Sequence, residues 1–189
     1  MTENTRFYSK SYNMSDELKA FFTEVTNNSK LQKQLYVTEK LPDVAKIANQ
    51  LGFNVKAAEI LQTQAGRVLA ILEEQSDDVQ NLISSIKPKT GAQWGRGGGG
   101  YLDRPGYWLI KLATQNTRTE IEKEINNFLT KAEQNEELKN KLLNAKTFND
   151  VAQLFQSCGF NIKATDLLSY QAQKILELTE VEADKVADH

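Results

Sequence analysis

Few side chains in this sequence have the type and spacing that chemistry needs. There is one cysteine, Cys158, and one histidine, His189, the final residue given. A single cysteine excludes an internal disulfide and a Cys-rich metal site. Cys158 falls at an apolar helical position and reads as a small buried hydrophobe. A Cys–His dyad with His189 is not expected. The acidic run Glu73, Glu74, Asp77 and Asp78 has no His or Ser nucleophile beside it by type and spacing. It reads as a solvated helix face or a cap. No catalytic, cofactor-binding or metal-binding residue is assigned, and the chain reads as a non-enzyme.

The segment around Gly97–Gly100 is the other place where chemistry suggests itself. A phosphate loop needs Lys-Ser/Thr after its glycines, at a helix start that follows a strand. Here Tyr101-Leu102-Asp103 follows, in helical surroundings. Gly99 and Gly100 also look like the double glycine that leader peptidases cut, although the product, Tyr101–His189, would itself hold a folded module. From Lys87 to Lys111 the local charge is +4, with Trp and Tyr interleaved. Cations beside stacking faces are the footprint of single-strand nucleic-acid binding, but the patch is small and the chain carries a net charge of −2. Nucleic acid therefore ranks below a protein partner. Trp, Tyr and Arg are the residue types enriched at protein–protein hot spots. Trp94, Arg96, Tyr101, Arg104, Tyr107 and Trp108 are the candidate partner-binding residues, and Gly99 and Gly100 the candidate processing site.

The elements that must position this segment come in duplicate. Gly52-Phe53-Asn54-Val55-Lys56-Ala57 recurs 107 residues later as Gly159-Phe160-Asn161-Ile162-Lys163-Ala164. Without a gap, Met14–Glu73 lies over Ile121–Glu180 with 19 of 60 positions identical. This is a duplicated module. Leu18, Phe21, Phe22 and Val25 fall at i, i+3, i+4 and i+7, one face of a helix. Ile121, Ile125, Phe128 and Leu129 hold that face in the second copy. Leu31 and Leu35 mark a second helix, matched by Leu138 and Leu142. Val44, Ile47, Ala48 and Leu51 mark a third, matched by Val151, Leu154, Phe155 and Cys158. Ile60, Leu61, Val68 and Leu69 mark a fourth, matched by Leu167, Leu168, Ile175 and Leu176.

Thr147–Asp150 has the spacing of a capping box, and so does Thr117–Glu120. Pro42 suits a first helical turn. Gly52 and Gly159 stand where the third helix must stop, in a left-handed cap with Phe53 or Phe160 folded back on the last turn. The expected fold is all-α: two homologous small helical modules joined by a Gly-rich aromatic linker. The boundaries read as a flexible arm (1–13), module 1 (14–73), an amphipathic helix carried by Val79, Leu82, Ile83 and Ile86 (74–88), the linker (89–116), module 2 (117–180) and an acidic tail (181–189). Within the linker, Tyr107–Leu112 is a short apolar run whose length does not decide between strand and helix. No apolar run nears the ~20 residues of a membrane helix, and residues 1–13 lack the apolar core of a signal peptide. A cytoplasmic protein is expected.

The order of Met14-Ser15-Asp16-Glu17-Leu18-Lys19-Ala20-Phe21-Phe22, Leu31, Leu35, Val44, Ala45, Ala48 and Gly52-Phe53 resembles the Nif-eleven family, the nitrogen-fixation-type leader-peptide domains common in cyanobacteria. Ile125, Phe128-Leu129, Leu138, Leu142, Val151-Ala152 and Gly159-Phe160 carry the resemblance in the second copy. It implies a small, helical, non-enzymatic protein, and two settings: nitrogen-fixation gene neighbourhoods, or leaders whose helical part is bound by a maturation enzyme. The chain departs from the leader pattern by duplication, and by an acidic tail without Cys whose only hydroxyl residue is Thr179. Lys56 and Lys163 stand where the family often has Ser or Thr, so the fourth helices lack their usual hydroxyl cap. The reading is an interaction or adaptor protein with a protein partner. A leader-like precursor cut near Gly97–Gly100 is second, and a single-strand RNA binder third.

Overall fold

In a computed structural model, residues 14–38, 40–74 and 104–188 are described. Among them all regular structure is helical. Module 1 supplies α1 (Asp16–Asn27), α2 (Ser29–Tyr36), α3 (Leu41–Gln50) and α4 (Ala57–Glu74). Then come α5 (Pro105–Leu112), the module 2 helices α6 (Glu120–Glu133), α7 (Glu136–Asn144), α8 (Phe148–Ser157) and α9 (Ala164–Glu177), and finally α10 (Glu180–Ala187).

Local chemistry sets these limits. Asn28 and Asn135, identical in the two copies, cap α2 and α7 by accepting from the N–H groups of Leu31 and Leu138 at 3.0 Å. Such caps satisfy amides that the helix leaves without partners. Thr147 and Asp150 form the expected capping box of α8. The box of α6 is Thr119–Glu122, not Thr117–Glu120, because the helix begins at Glu120. Pro42 lies in the first turn of α3.

The third helices end alike. Gly52 and Gly159 have φ of 92° and 88°. The Phe53 N–H donates to the Ala48 carbonyl and the Gly52 N–H to that of Asn49. Phe160 and Gly159 repeat this with Phe155 and Gln156. This is the Schellman arrangement. Phe53 packs on Phe21 at 5.8 Å and Phe160 on Phe128 at 5.9 Å between ring centroids. Leu51 does not follow the apolar reading: as the C-cap it turns out of the stripe and is 49% exposed. Cys158, its counterpart, is half-buried.

Two sequence boundaries need correction. Residues 105–112 lie in the expected linker but form a helix of the core. Pro105 and Gly106 open α5 rather than break structure, because proline suits N1 and glycine admits a close neighbour. A Cβ on Gly106 would stand 1.8 Å from the Leu142 carbonyl oxygen of α7. Trp108, Leu109 and Leu112 are buried. Residues 181–189, expected as a tail, fall mostly in α10. Thr179 and Glu182 form its capping box, and Ala183 and Ala187 are buried. The expected amphipathic helix at 74–88 lies almost wholly outside the described residues.

The modules are joined through their fourth helices. α4 and α9 make the most extensive interhelical contact, α10 lies on α4, and α5 packs on α7, α8 and α9. The buried apolar residues of the two modules form one continuous core.

Candidate helix-docking site

Trp94, Arg96, Gly99, Gly100 and Tyr101 lie outside the described residues. The other three proposed partner-binding residues are on α5, and they divide. Arg104 is exposed at the N-cap, its guanidinium 4.4 Å from the centroid of the Tyr107 ring. Lys111 Nζ is 5.1 Å from that ring. Trp108 meets Tyr107 edge-on and turns inward, 2% exposed. Arg104, Tyr107 and Lys111 therefore form a cation–π cluster on α5. Trp108 is removed from the partner-facing set, because its indole fills the core. Among the described residues no group of three or more His, Cys, Asp or Glu side chains is placed to hold a metal ion.

Module 2 contains one buried ionic cluster. Lys174 Nζ lies 2.8 Å from Glu122 and 3.3 Å from Glu177, with its side chain 6% exposed. Burial alone would raise the Glu122 carboxyl. Lys174 and the Arg118 and Thr119 N–H groups outweigh burial and hold it below the usual carboxylate range. Burial pushes the nearby Tyr170 phenol up to about 12. Each charged group is paired, so the cluster ties the start of α6 to the end of α9; no acid or base is left poised for transfer.

A surface that grips a helix occurs at the start of α4. Lys56 precedes that helix and its side chain has no acceptor, so the first amides need partners from elsewhere. α10 supplies them. Asp184 Oδ1 accepts from the Ala58 N–H at 2.9 Å, and Glu180 Oε1 accepts from Lys56 Nζ at 2.5 Å. The Glu180 carboxylate raises the Lys56 ammonium above its ordinary value. One turn on, Gln62 Nε2 donates to the carbonyls of Leu178 (3.0 Å) and Ile175 (3.3 Å), where the chain leaves α9. Ala58 is 1% and Gln62 8% exposed. Two acids one turn apart thus meet a helix amino end, whose dipole favours negative charge.

The duplicated positions in module 2 are Lys163, Thr165 and Ser169. Lys163 N–H donates to Asp166 Oδ2 at 2.9 Å, a local bond. Thr165 and Ser169 are half-buried, and a cleft of about 370 Å³ opens between α8 and the start of α9. Asn149, Gln153, Gln156, Lys163 and Thr165 line it, with Ala152 and Ala164 at its floor.

Sequence reasoning missed this site, although half of its signal was visible. A lysine at the N-cap of a fourth helix marks an amino end that needs an outside acceptor. The acidic pair that answers it lies 126 residues along the chain and reads as a tail until folded. Among known proteins, the Nif11 domain matches residues 15–60 and 122–167. No curated protein and no solved structure matches the chain.

Proposed function

We infer that this chain, which carries two Nif11-like domains in tandem, is a non-catalytic adaptor whose modules bind helices of other proteins. The observation that carries this reading is α10 on α4. A module surface with no reactive group holds an acidic helix by one backbone amide, one ammonium and small apolar contacts. A surface of that kind recognises partners and transforms nothing. The exposed cations Arg104 and Lys111, on either side of the half-buried Tyr107 ring, offer a second contact zone of the composition found at hot spots. The family likeness alone suggests a nitrogen-fixation setting, by analogy. No described helix is long and apolar enough to cross a membrane.

The test is affinity capture of the tagged full chain from its native cells. A stoichiometric protein partner that resists nuclease supports the adaptor. Capture of RNA, lost on nuclease treatment, replaces it with the nucleic-acid reading, as does turnover by the purified chain with the enzymatic one. A precursor cut near Gly100 predicts a native mass matching 101–189. Nothing described favours that reading, since α9 and α10 of such a product pack on module 1.

A further inference from the structure

Resting on the adaptor reading, we propose that α10 is an internal ligand of module 1, an autoinhibitory contact that a partner's helix of the same pattern displaces. The surface is occupied in the structure, so the chemistry of its occupant is read directly. Glu180 holds the Lys56 ammonium, and Asp184 accepts from the Ala58 N–H, the second amide of α4. Ala183 and Ala187, on the same face of α10 as these acids, are buried. That face reads as an acid, a small residue three positions on, a second acid at four and a small residue at seven. A partner helix with this pattern offers α4 the same groups.

The grip on α10 is of a kind that opens. α10 follows α9 through Leu178 and Thr179, and its extensive contact, among the described helices, is with α4. The contrast is with α5, which buries Trp108, Leu109 and Leu112 and seats Gly106 against a backbone carbonyl. The buried side chains of α10 are two alanines. Ala58 and Ala183 are buried yet stand outside the continuous core, which α10 reaches only through Ala187 and the half-buried Val186. Apolar stabilisation follows the area buried, so little of it holds this helix. The Lys56–Glu180 pair is exposed on both sides, and salt screens such a pair. Elements held by few buried apolar contacts open at a lower free energy than the whole molecule unfolds. While α10 is seated, a competing helix meets only the open fraction of module 1, and its apparent affinity falls by that fraction. A poorly matched helix is thereby excluded, and a better-matched one takes the place of α10.

The test has two arms, both on the full chain. In native-state hydrogen exchange, the Ala58 N–H and the amides of α10 should share one rate, at least about tenfold faster than the interior of α9, and the gap should widen with salt. Exchange of α10 and Ala58 only at the rate of the α9 interior overturns the proposal, and this arm needs no variant to fold. The second arm titrates a capped, fluorophore-labelled peptide of residues 179–188, followed by anisotropy, into wild type and into a Glu180→Lys, Asp184→Lys variant whose α10 is repelled by Lys56. The variant should bind the peptide roughly tenfold or more tightly than wild type does, and adding Lys56→Glu should abolish that gain. Equal binding to both chains, or no saturation of the variant by about 1 mM, overturns the internal ligand. So does a wild-type dimer dissolved by Lys56→Glu, which makes a second copy of this chain the occupant. If the peptide fails on the variant yet the tagged chain still captures a protein partner, the internal ligand falls and the adaptor reading survives.

Discussion

Gly52 and Gly159 have no atom within 4 Å of where a Cβ would stand. Their constraint is purely a backbone one, φ near 90°, where a β-branched residue is strained. Gly52→Val should destabilise the protein by about 1–2 kcal/mol or more, and Gly52→Asn by clearly less, since Asn tolerates this region. Denaturant titration of the two variants checks it; equal costs would point to sterics instead. Glu122 gives a pH-dependent counterpart. Its folded pKa lies below the unfolded one, so its contribution is present above the unfolded value and is lost as pH falls through the folded value. Glu122→Gln should cost about 2 kcal/mol at neutral pH, the scale of hydrogen bonds to a charged group. The gap from wild type should close on acidification below the ordinary carboxylate range. A gap that is constant with pH would place the cost in packing.

At the scale of elements, α5 and α10 are the helices whose attachment can be tested singly. Gly106→Ala puts a methyl into the Leu142 backbone carbonyl, which no side-chain rotation relieves. We expect a loss of about 3 kcal/mol, at the upper end for overpacking. In a Trp94→Phe background, the emission of Trp108 should move to the red as α5 lifts. For α10, Asp184→Ala leaves the buried Ala58 N–H without its acceptor. Losing such a cap costs about 1 kcal/mol, and hydrogen exchange at the start of α4 should accelerate first. Lys56→Ala removes only an exposed ion pair and should change stability little.

The whole molecule is where duplication and folding part company. Two small modules of this length bury limited cores alone, yet here their buried apolar residues form one cluster, joined where α4 meets α9. Unfolding should be a single transition, with far-UV ellipticity and Trp108 emission moving together. Two separated transitions would show that the modules are thermodynamically independent. Fragments 1–100 and 101–189, expressed together, should copurify through the same contact.

Sequence alone determined what repeats and what is local. The apolar stripes, the glycine stops with Phe53 and Phe160 folded back, and the Thr147–Asp150 box depend on neighbours within a few residues, and period and capping chemistry express those directly. The fate of Trp108, Gly106, Asp184 and Glu180 was decided by the tertiary structure. Pro105-Gly106 reads as a break until a carbonyl from α7 is found where glycine's missing side chain would be. An acidic stretch reads as a solvated tail until the amino end it caps, in the other module, lies beside it. Contacts between residues more than a hundred positions apart leave no periodic trace in a single chain, so only the folded molecule shows which amino end of module 1 is held, and by which helix.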